Sequence, residues 1–514
     1  MNLSQISQPF LKQFPGDFSG NPMQRQTPGF LFATVDLAGF KNPELLIFNE
    51  KLSQEIGLGR IEDEKDLQFL NASLVPDSLK TYATAYAGHQ FGNWAGQLGD
   101  GRAIIAGQII NAAGKKHEIQ WKGAGATPYS RHADGRAVLR SSIREYLMSE
   151  AMHHLGIPTT RALSLSLTGE NVLRDLMYDG NPDYEKGAVM VRIAESFLRF
   201  GHFELISAQN NVETLRKLSD FTIENYFPEI NPESPEKYSE FFENIALRTA
   251  ELIVEWYRVG FVHGVMNTDN MSVLGLTIDY GPFSFLDEYD LSFTPNTTDL
   301  PGRRYAFGSQ AKMAQWNLWQ LANALFPLIK DEKKLEKILN DFSEVFWKKH
   351  DEMMARKFGF NEVLEGDDHF FSDFQQVLQD TKADYTLFFN RLEKLQQDTD
   401  IQEHFKDIFY SRLSENHLFS FENFIKNYQI RLSKNTISRE ESLAIMKRNN
   451  PKFILRNYML FECIKEINEG KRELLNQLIS ALENPYEERY PEFSRKRPPI
   501  YDGQTGSSTL SCSS

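Results

Sequence analysis

The stretch His263-Gly264-Val265-Met266-Asn267-Thr268-Asp269-Asn270, followed by Asp279-Tyr280-Gly281, gathers residues suited to chemistry on phosphates. Asn270 and Asp279 are hard oxygen donors of the kind Mg²⁺ or Mn²⁺ shares with a polyphosphate. Asp269 adds a carboxylate that can take up a proton. Phe261, Val262, Val265, Met266, Val273 and Leu274 surround these groups, so the loop is expected to be buried rather than a surface turn. Upstream, Gly96-Gln97-Leu98-Gly99-Asp100-Gly101-Arg102 has the glycines that let a backbone approach phosphates closely, and Arg102 supplies charge. The same glycines would serve a plain tight hairpin.

The order of the parts separates these readings. A glycine-rich turn, a strand ending in Lys122 and a helix carrying Glu145 follow one another. That is the small-lobe order of protein kinases, where the glutamate orients the lysine against nucleotide phosphates. In the same enzymes a His-x-Asp element precedes the metal-binding Asn and a later Asp-Phe-Gly. Here His263, Asn270 and Asp279-Tyr280-Gly281 keep those places, but Val265 stands where the catalytic Asp belongs. Valine cannot accept a proton, so ordinary γ-phosphoryl transfer lacks its usual base. Arginines recur at Arg131 and Arg136 in a polar loop, and at Arg192 and Arg199 around a short turn. They fit either phosphate contacts or partners of buried carboxylates.

These residues need elements to hold them. AIIAGQII (103–110) and HEIQWKG (117–123) read as two antiparallel strands after the glycine-rich turn. Leu139, Ile143, Leu147, Ala151 and Leu155 recur every fourth residue, predicting a helix over about 137–155 that Gly156-Ile157-Pro158 ends. ALSLSLTG (162–169) and GAVMVRIAE (187–195) read as further strands. From about Phe200 to Leu482 the pattern is helical, interrupted by the loop- and strand-like 260–293. The expected architecture is α+β: an extension over 1–85 packed on a strand-rich lobe at 86–200, a helical lobe at 201–490, and a mobile, Pro/Gly/Ser-bearing tail at 491–514.

With 514 residues, 41% hydrophobic and 39 Phe, the chain can bury a large core. A net charge of −14 argues against nucleic acid as a partner, since phosphate-backbone affinity rests on Lys and Arg. Any bound polyphosphate must meet a local cation cluster. Two cysteines, Cys463 and Cys512, make no disulfide framework and fit a reducing compartment. The first residues lack the pattern of a signal or transit peptide, and no run approaches the ~18 apolar residues of a membrane span. A cytoplasmic monomer without membrane contact is expected.

At this point the sequence resembles the selenoprotein O family, protein adenylyltransferases with a kinase-like fold. The resemblance is carried by HQFGNWAGQLGDGRA, WKGAGATPYSRHADGRAVLRSSIREYLMSEAMHHLGIPTTRAL, VRIAESFLRFGHFE, HGVMNTDNMSVLGLTIDYGPFSFLD, NPKFILRNYML and the terminal SCSS. It implies a two-lobed fold and a nucleotide flipped relative to kinases, so that a Ser, Thr or Tyr hydroxyl of a protein attacks the α-phosphate and pyrophosphate leaves. Some members also use UTP. By the same resemblance Asp269 is the general base, and Asn270 and Asp279 bind Mg²⁺ or Mn²⁺. Gly99, Gly101, Arg102, Lys122, Asp134, Gly135, Arg192, Arg199 and Asp279 contact the nucleotide, and Glu145 positions Lys122. Two alternatives remain: a kinase using Asp269 as a displaced base, and a non-catalytic nucleotide-binding scaffold. Eukaryotic relatives place selenocysteine where Cys512 stands, and in some relatives that residue pairs with a cysteine after the DYGPF element. The corresponding FTPNTTD (293–299) has Pro295 and no thiol, which leaves Cys512 as a redox residue without that partner. Cys463, in an apolar helical run, is expected to be buried and inert.

Overall fold

Runs of β-branched and small apolar residues build the first part of the chain as strands. In order these are β1 (Gly16–Asp17), β2 (Phe32–Thr34), β3 (Glu44–Phe48), β4 (Tyr82–Thr84), β5 (Ala87–Gln90), β6 (Asn93–Gln97), β7 (Ala103–Ile110), β8 (Lys116–Lys122), β9 (Ala137–Val138), β10 (Arg161–Arg174) and β11 (Asp183–Ala194). The structure, a computed structural model, describes residues 1–176 and 180–511. Its main sheet has nine strands in the order β1-β2-β4-β7-β8-β11-β10-β3, with β9 paired to β11. All pairs are antiparallel except β1 with β2.

Side chains alternate across this sheet. Ile119, Trp121, Val189, Val191 and Ile193 fall on one face and pack with Leu52, Ile56, Phe69 and Leu70. The Trp121 indole N–H donates to Phe69 O at 2.8 Å. Ala188 and Met190 fall on the other face, against Leu139, Ile143 and Leu147 of the helix Leu139–His154. Gln120, Lys122 and Arg192 share this second face by alternation. The first 85 residues therefore do more than pack on the sheet: they contribute β1 to β4 and cover a face that would otherwise leave Trp121 in water.

From Phe200 onward helices dominate, among them Phe200–Ala208, Lys237–Val259, Gln310–Ile329 and Glu332–Phe358. The abundant phenylalanines find their use here. Phe358 lies within 6.5 Å, centroid to centroid, of Phe374, Phe388, Phe389 and Phe424. The helix Lys237–Val259 ends at Gly260 in the left-handed region, φ +74°, and the chain turns into β12 (Phe261–Val262), which pairs with β13 (Ser284–Phe285). That short ladder closes the base of a loop spanning 263–283.

The segment expected to be a mobile tail is held in place as far as residue 511. Arg497 pairs with Asp287 at 2.9 Å, Thr297 N–H donates to Leu510 O at 2.9 Å, and Leu510 and Ser511 are buried. Composition without periodicity reveals no helix or strand, but it does not forbid side-chain and backbone anchors of this kind. Cys512 lies outside the described residues. Among the described residues no helix is long and apolar enough to cross a membrane.

Candidate active site

The 263–283 loop is shaped by a few buried polar groups. His263 Nε2 meets Ile278 O at 2.9 Å, and its ring stacks 5.4 Å from Trp256. Burial keeps this histidine below its usual range and so neutral. It ties the first strand of the loop to the residue before Asp279. Asp279 itself has φ +56°, a left-handed conformation that a short polar side chain tolerates and that surrounding structure must hold. The Asn270 side-chain N–H donates to Val265 O at 2.9 Å. The backbone at Val265 thus orients Asn270 even though its side chain offers no base.

Five charged residues interlock beside this loop. Lys122 Nζ donates to Glu145 Oε2, and Arg192 NH1 reaches Glu145 Oε1 at 2.9 Å and Asp279 Oδ1 at 2.6 Å. Arg199 NH1 donates to Asp279 Oδ2 at 2.5 Å and to Asp269 O at 2.9 Å. Lys122 Nζ lies 4.0 Å from Asp279 Oδ1. Burial opposes the charge on Asp279, but Arg199, Arg192 and Lys122 outweigh it and hold the carboxyl well below its ordinary range. Burial pulls Lys122 down, against the opposing pull of Glu145. Three cations gather here in a chain of charge −14, paired with Glu145 and Asp279 and with the carboxyls of Asp269 and Asp100 close by. Cross-strand register explains part of it: Arg192 pairs with Gln120, whose Oε1 it also binds. The 198–200 segment pairs with 271–273, which sets Arg199 between Asp269 and Asp279.

Asp269 occupies a drier place. Burial raises its carboxyl to about 6, offset in part by the Gln90 side chain, which donates to Oδ2 at 3.1 Å, and by Arg199. Its Oδ1 is buried without a hydrogen-bond partner. A buried, unsatisfied carboxylate oxygen is costly, about 1–3 kcal/mol or more, and is a place where a ligand's proton would be welcome. The β5–β6 hairpin lies over this loop. His89 N–H donates to Thr268 Oγ1 at 2.7 Å, and Phe91 N–H donates to Asn267 Oδ1 and to the Tyr305 hydroxyl, each at 3.1 Å. Nothing in the sequence marks 87–97 as a hairpin or singles out His89, Gln90 and Tyr305. Dense glycine hid the short strands, and nothing in the local sequence marks a partner some 180 residues away.

Oxygen donors suited to a divalent cation are present in modest number. Among the described residues no three His, Cys, Asp or Glu side chains converge into a cage. Asn270 keeps its amide oxygen while its N–H is used on Val265. Each Asp279 oxygen accepts from an arginine and retains a further lone pair. This donor set suits Mg²⁺ or Mn²⁺, which commonly takes one or two protein oxygens and completes its shell with phosphates and water.

The glycine-rich turn meets protein atoms. A Cβ on Gly99 would fall 2.4 Å from the Tyr129 ring and one on Gly101 2.8 Å from Tyr129 O; Gly135, at φ +70°, has Gly125 O 2.0 Å from the same position. These glycines allow the turn and the 123–136 loop to nest against each other. Arg102 is exposed, and its carbonyl accepts from Gly123 N–H at 2.8 Å, beside Lys122. Asp134 stands apart from the charge cluster, gripped by both terminal nitrogens of Arg174 at 2.9 and 2.7 Å. Asp100, inside the turn, is buried and accepts from Thr84 N–H and hydroxyl at 3.0 and 2.6 Å. Cys463 is buried and unbridged, its thiol pushed up to about 12 by burial.

Comparison with known proteins identifies the family. The family model described as protein adenylyltransferase SelO matches residues 20–483. A protein nucleotidyltransferase YdiU of Cytophaga hutchinsonii is 48% identical over 100% of this chain and 99% of its own length. Proteins of the same name from Flavobacterium johnsoniae and Nitrosospira multiformis are 44% and 43% identical, over 99% and 98% of this chain and 99% and 95% of their own lengths. The chain belongs to the protein adenylyltransferase SelO family.

Proposed function

We propose that the chain is a protein adenylyltransferase that moves AMP from ATP onto Ser, Thr or Tyr hydroxyls of proteins, on a kinase-like frame whose small lobe is the 86–200 region and whose large lobe is the 201–490 helical region. The observation that carries this reading is the buried, unpartnered Oδ1 of Asp269 beside the Lys122–Arg192–Arg199 cation cluster, with Val265 where a kinase keeps its base.

The reaction follows from those groups. The Asp269 carboxylate takes the proton of the acceptor hydroxyl, whose oxygen bonds to the α-phosphorus. The bond from that phosphorus to the β-phosphate bridging oxygen breaks, and pyrophosphate leaves with the electron pair. Lys122, Arg192 and Arg199 are largely buried, fixed cations, and such groups stabilise charge that moves onto the leaving phosphates. Glu145 holds Lys122 in register. Arg102, Gly99, Gly101, Asp134 and Gly135 complete the nucleotide cradle, with Asp134 exchanging Arg174 for the ligand. Asn270 and Asp279 would hold Mg²⁺ or Mn²⁺, which when bound neutralises phosphate oxygens and polarises the α-phosphorus. UTP fits the same phosphate grip.

The test is the fate of the label. With an acceptor protein and ATP labelled at the α- or the γ-phosphorus, the α label should enter protein and the γ label should not. Incorporated γ label without α label would establish phosphoryl transfer instead. Neither label in any protein would leave only nucleotide binding.

A further inference from the structure

The helix Gln310–Ile329 has two different faces. Its inner face braces the catalytic loop. Gln310 accepts from His263 N–H at 3.1 Å and donates to Phe261 O at 2.9 Å, and Asn317 donates to Met266 O at 3.0 Å. Its outer face carries Lys312, Trp316, Trp319, Asn323 and Phe326, which recur at helical spacing along one side. An outward face is ordinarily polar throughout, yet Trp319 is 50% exposed and Phe326 45% exposed. The helix contains one charged residue, Lys312, and no acid, in a chain of net charge −14.

This stripe continues onto the hairpin that covers Asp269. The His89 ring lies 5.6 Å from Trp316 and 5.0 Å from Trp94, itself 45% exposed. Arg304 stacks over Trp316 at 4.5 Å and borders Gly92 at the hairpin tip. Among the described residues neither Arg304 nor Lys312 has an ion-pair partner, and Arg304 Nε is buried without a hydrogen-bond partner. Arg304 and Lys312 thus put two cations on the same side of the molecule as the exposed indoles.

We propose that the stripe from Trp94 across Trp316 to Trp319 and Phe326 is the docking surface for the acceptor protein, which binds through an acidic segment bearing aromatic or aliphatic side chains. Carboxylates of that segment would meet Arg304 and Lys312, and its apolar side chains would cover Trp319 and Phe326. Aromatic and arginine side chains are the usual anchors of such contacts. The position fits the chemistry: the helix whose outer face receives the segment holds the catalytic loop on its inner face, and the hairpin at the head of the stripe contacts Asp269. This inference deepens the adenylyl-transfer reading and rests on it.

Binding and transfer test it separately. Two short fluorescent peptides, each with one Tyr, would be compared: one rich in Glu, Leu and Phe, the other with Lys in place of Glu. By fluorescence anisotropy the intact chain should bind the Glu peptide on the order of ten-fold more tightly than the Lys peptide. The double variant Trp319→Ala, Phe326→Ala should weaken Glu-peptide binding by about the same factor and raise its KM, while pyrophosphate release from ATP without peptide stays unchanged. Should the double variant fold poorly, Lys312→Glu at an exposed position should reverse the peptide preference. Equal binding of the two peptides, absence of Glu-peptide binding, or unaltered binding by the variants would overturn the proposal. So would a concentration-dependent dimer of the wild type that the double variant abolishes, since a second copy would then own this face. Selective peptide binding without AMP transfer to any protein would instead sink the adenylyl-transfer reading and leave the docking surface standing.

Discussion

Asp269 is held between two opposing requirements. Burial raises its carboxyl to about 6, which brings its basicity toward that of an effective proton acceptor near neutrality. The cost is a buried oxygen with no partner. A carboxyl raised in this way is ionised, and so active as a base, above about 6, and it is lost as the pH falls through that value. Transfer rate at saturating ATP should therefore drop on the acid side with a midpoint near 6. Asp279 is held far lower by its cations and should add no second step there. A pH–rate profile flat down to about 4, the ordinary carboxylate range, would contradict the assignment. Asp269→Asn should reduce the transfer rate by roughly 10²–10⁴-fold while leaving ATP affinity near wild type, measured by single-turnover transfer and calorimetric titration of ATP.

At the scale of elements, the β5–β6 hairpin decides where Asp269 points. Gly88 has no side chain because a Cβ there would lie 2.8 Å from Asp269 Oδ1 and 2.9 Å from its Cβ. Gly88→Ala must push the carboxylate or the hairpin aside. Displacements of this size at a reacting group cost up to about 100-fold in rate. The variant should lose kcat, keep its KM for ATP, and melt close to wild type; a large drop in Tm with normal kcat would show that the hairpin serves stability alone. The strands that carry Lys122 and Arg192, and the helix that carries Glu145, were legible from periodicity. The hairpin was not. Its strands, Ala87–Gln90 and Asn93–Gln97, are short and glycine-bearing and pair only with each other, and the hydrogen bonds that place them, from His89, Gln90 and Phe91, go to a loop far along the chain.

For the whole molecule, the first 85 residues and the tail are structural partners of the catalytic region. Trp121 is adjacent to Lys122 yet points the other way, fully buried against Phe69 at 5.0 Å between ring centroids. Trp121→Ala should lower the unfolding free energy by about 3–5 kcal/mol, read by urea denaturation of the intact chain. It should leave the rate per folded molecule nearly unchanged, because the side chain faces away from the charge cluster. Parallel losses of rate and stability would mean that the two faces of the sheet are mechanically coupled.

Residue types and their order were enough to point to a family and to a set of candidate groups: Val265 in place of a base, the oxygen donors Asn270 and Asp279, and Lys122 beside Glu145, because these properties belong to side chains and to spacing within single elements. Folding in three dimensions decided which arginines share one carboxylate, why Gly99 and Gly135 have no Cβ, and which oxygen of Asp269 is left without a partner. Each of those depends on atoms brought together from distant parts of the chain, and hydrogen bonding and burial across such distances leave no periodic trace in sequence.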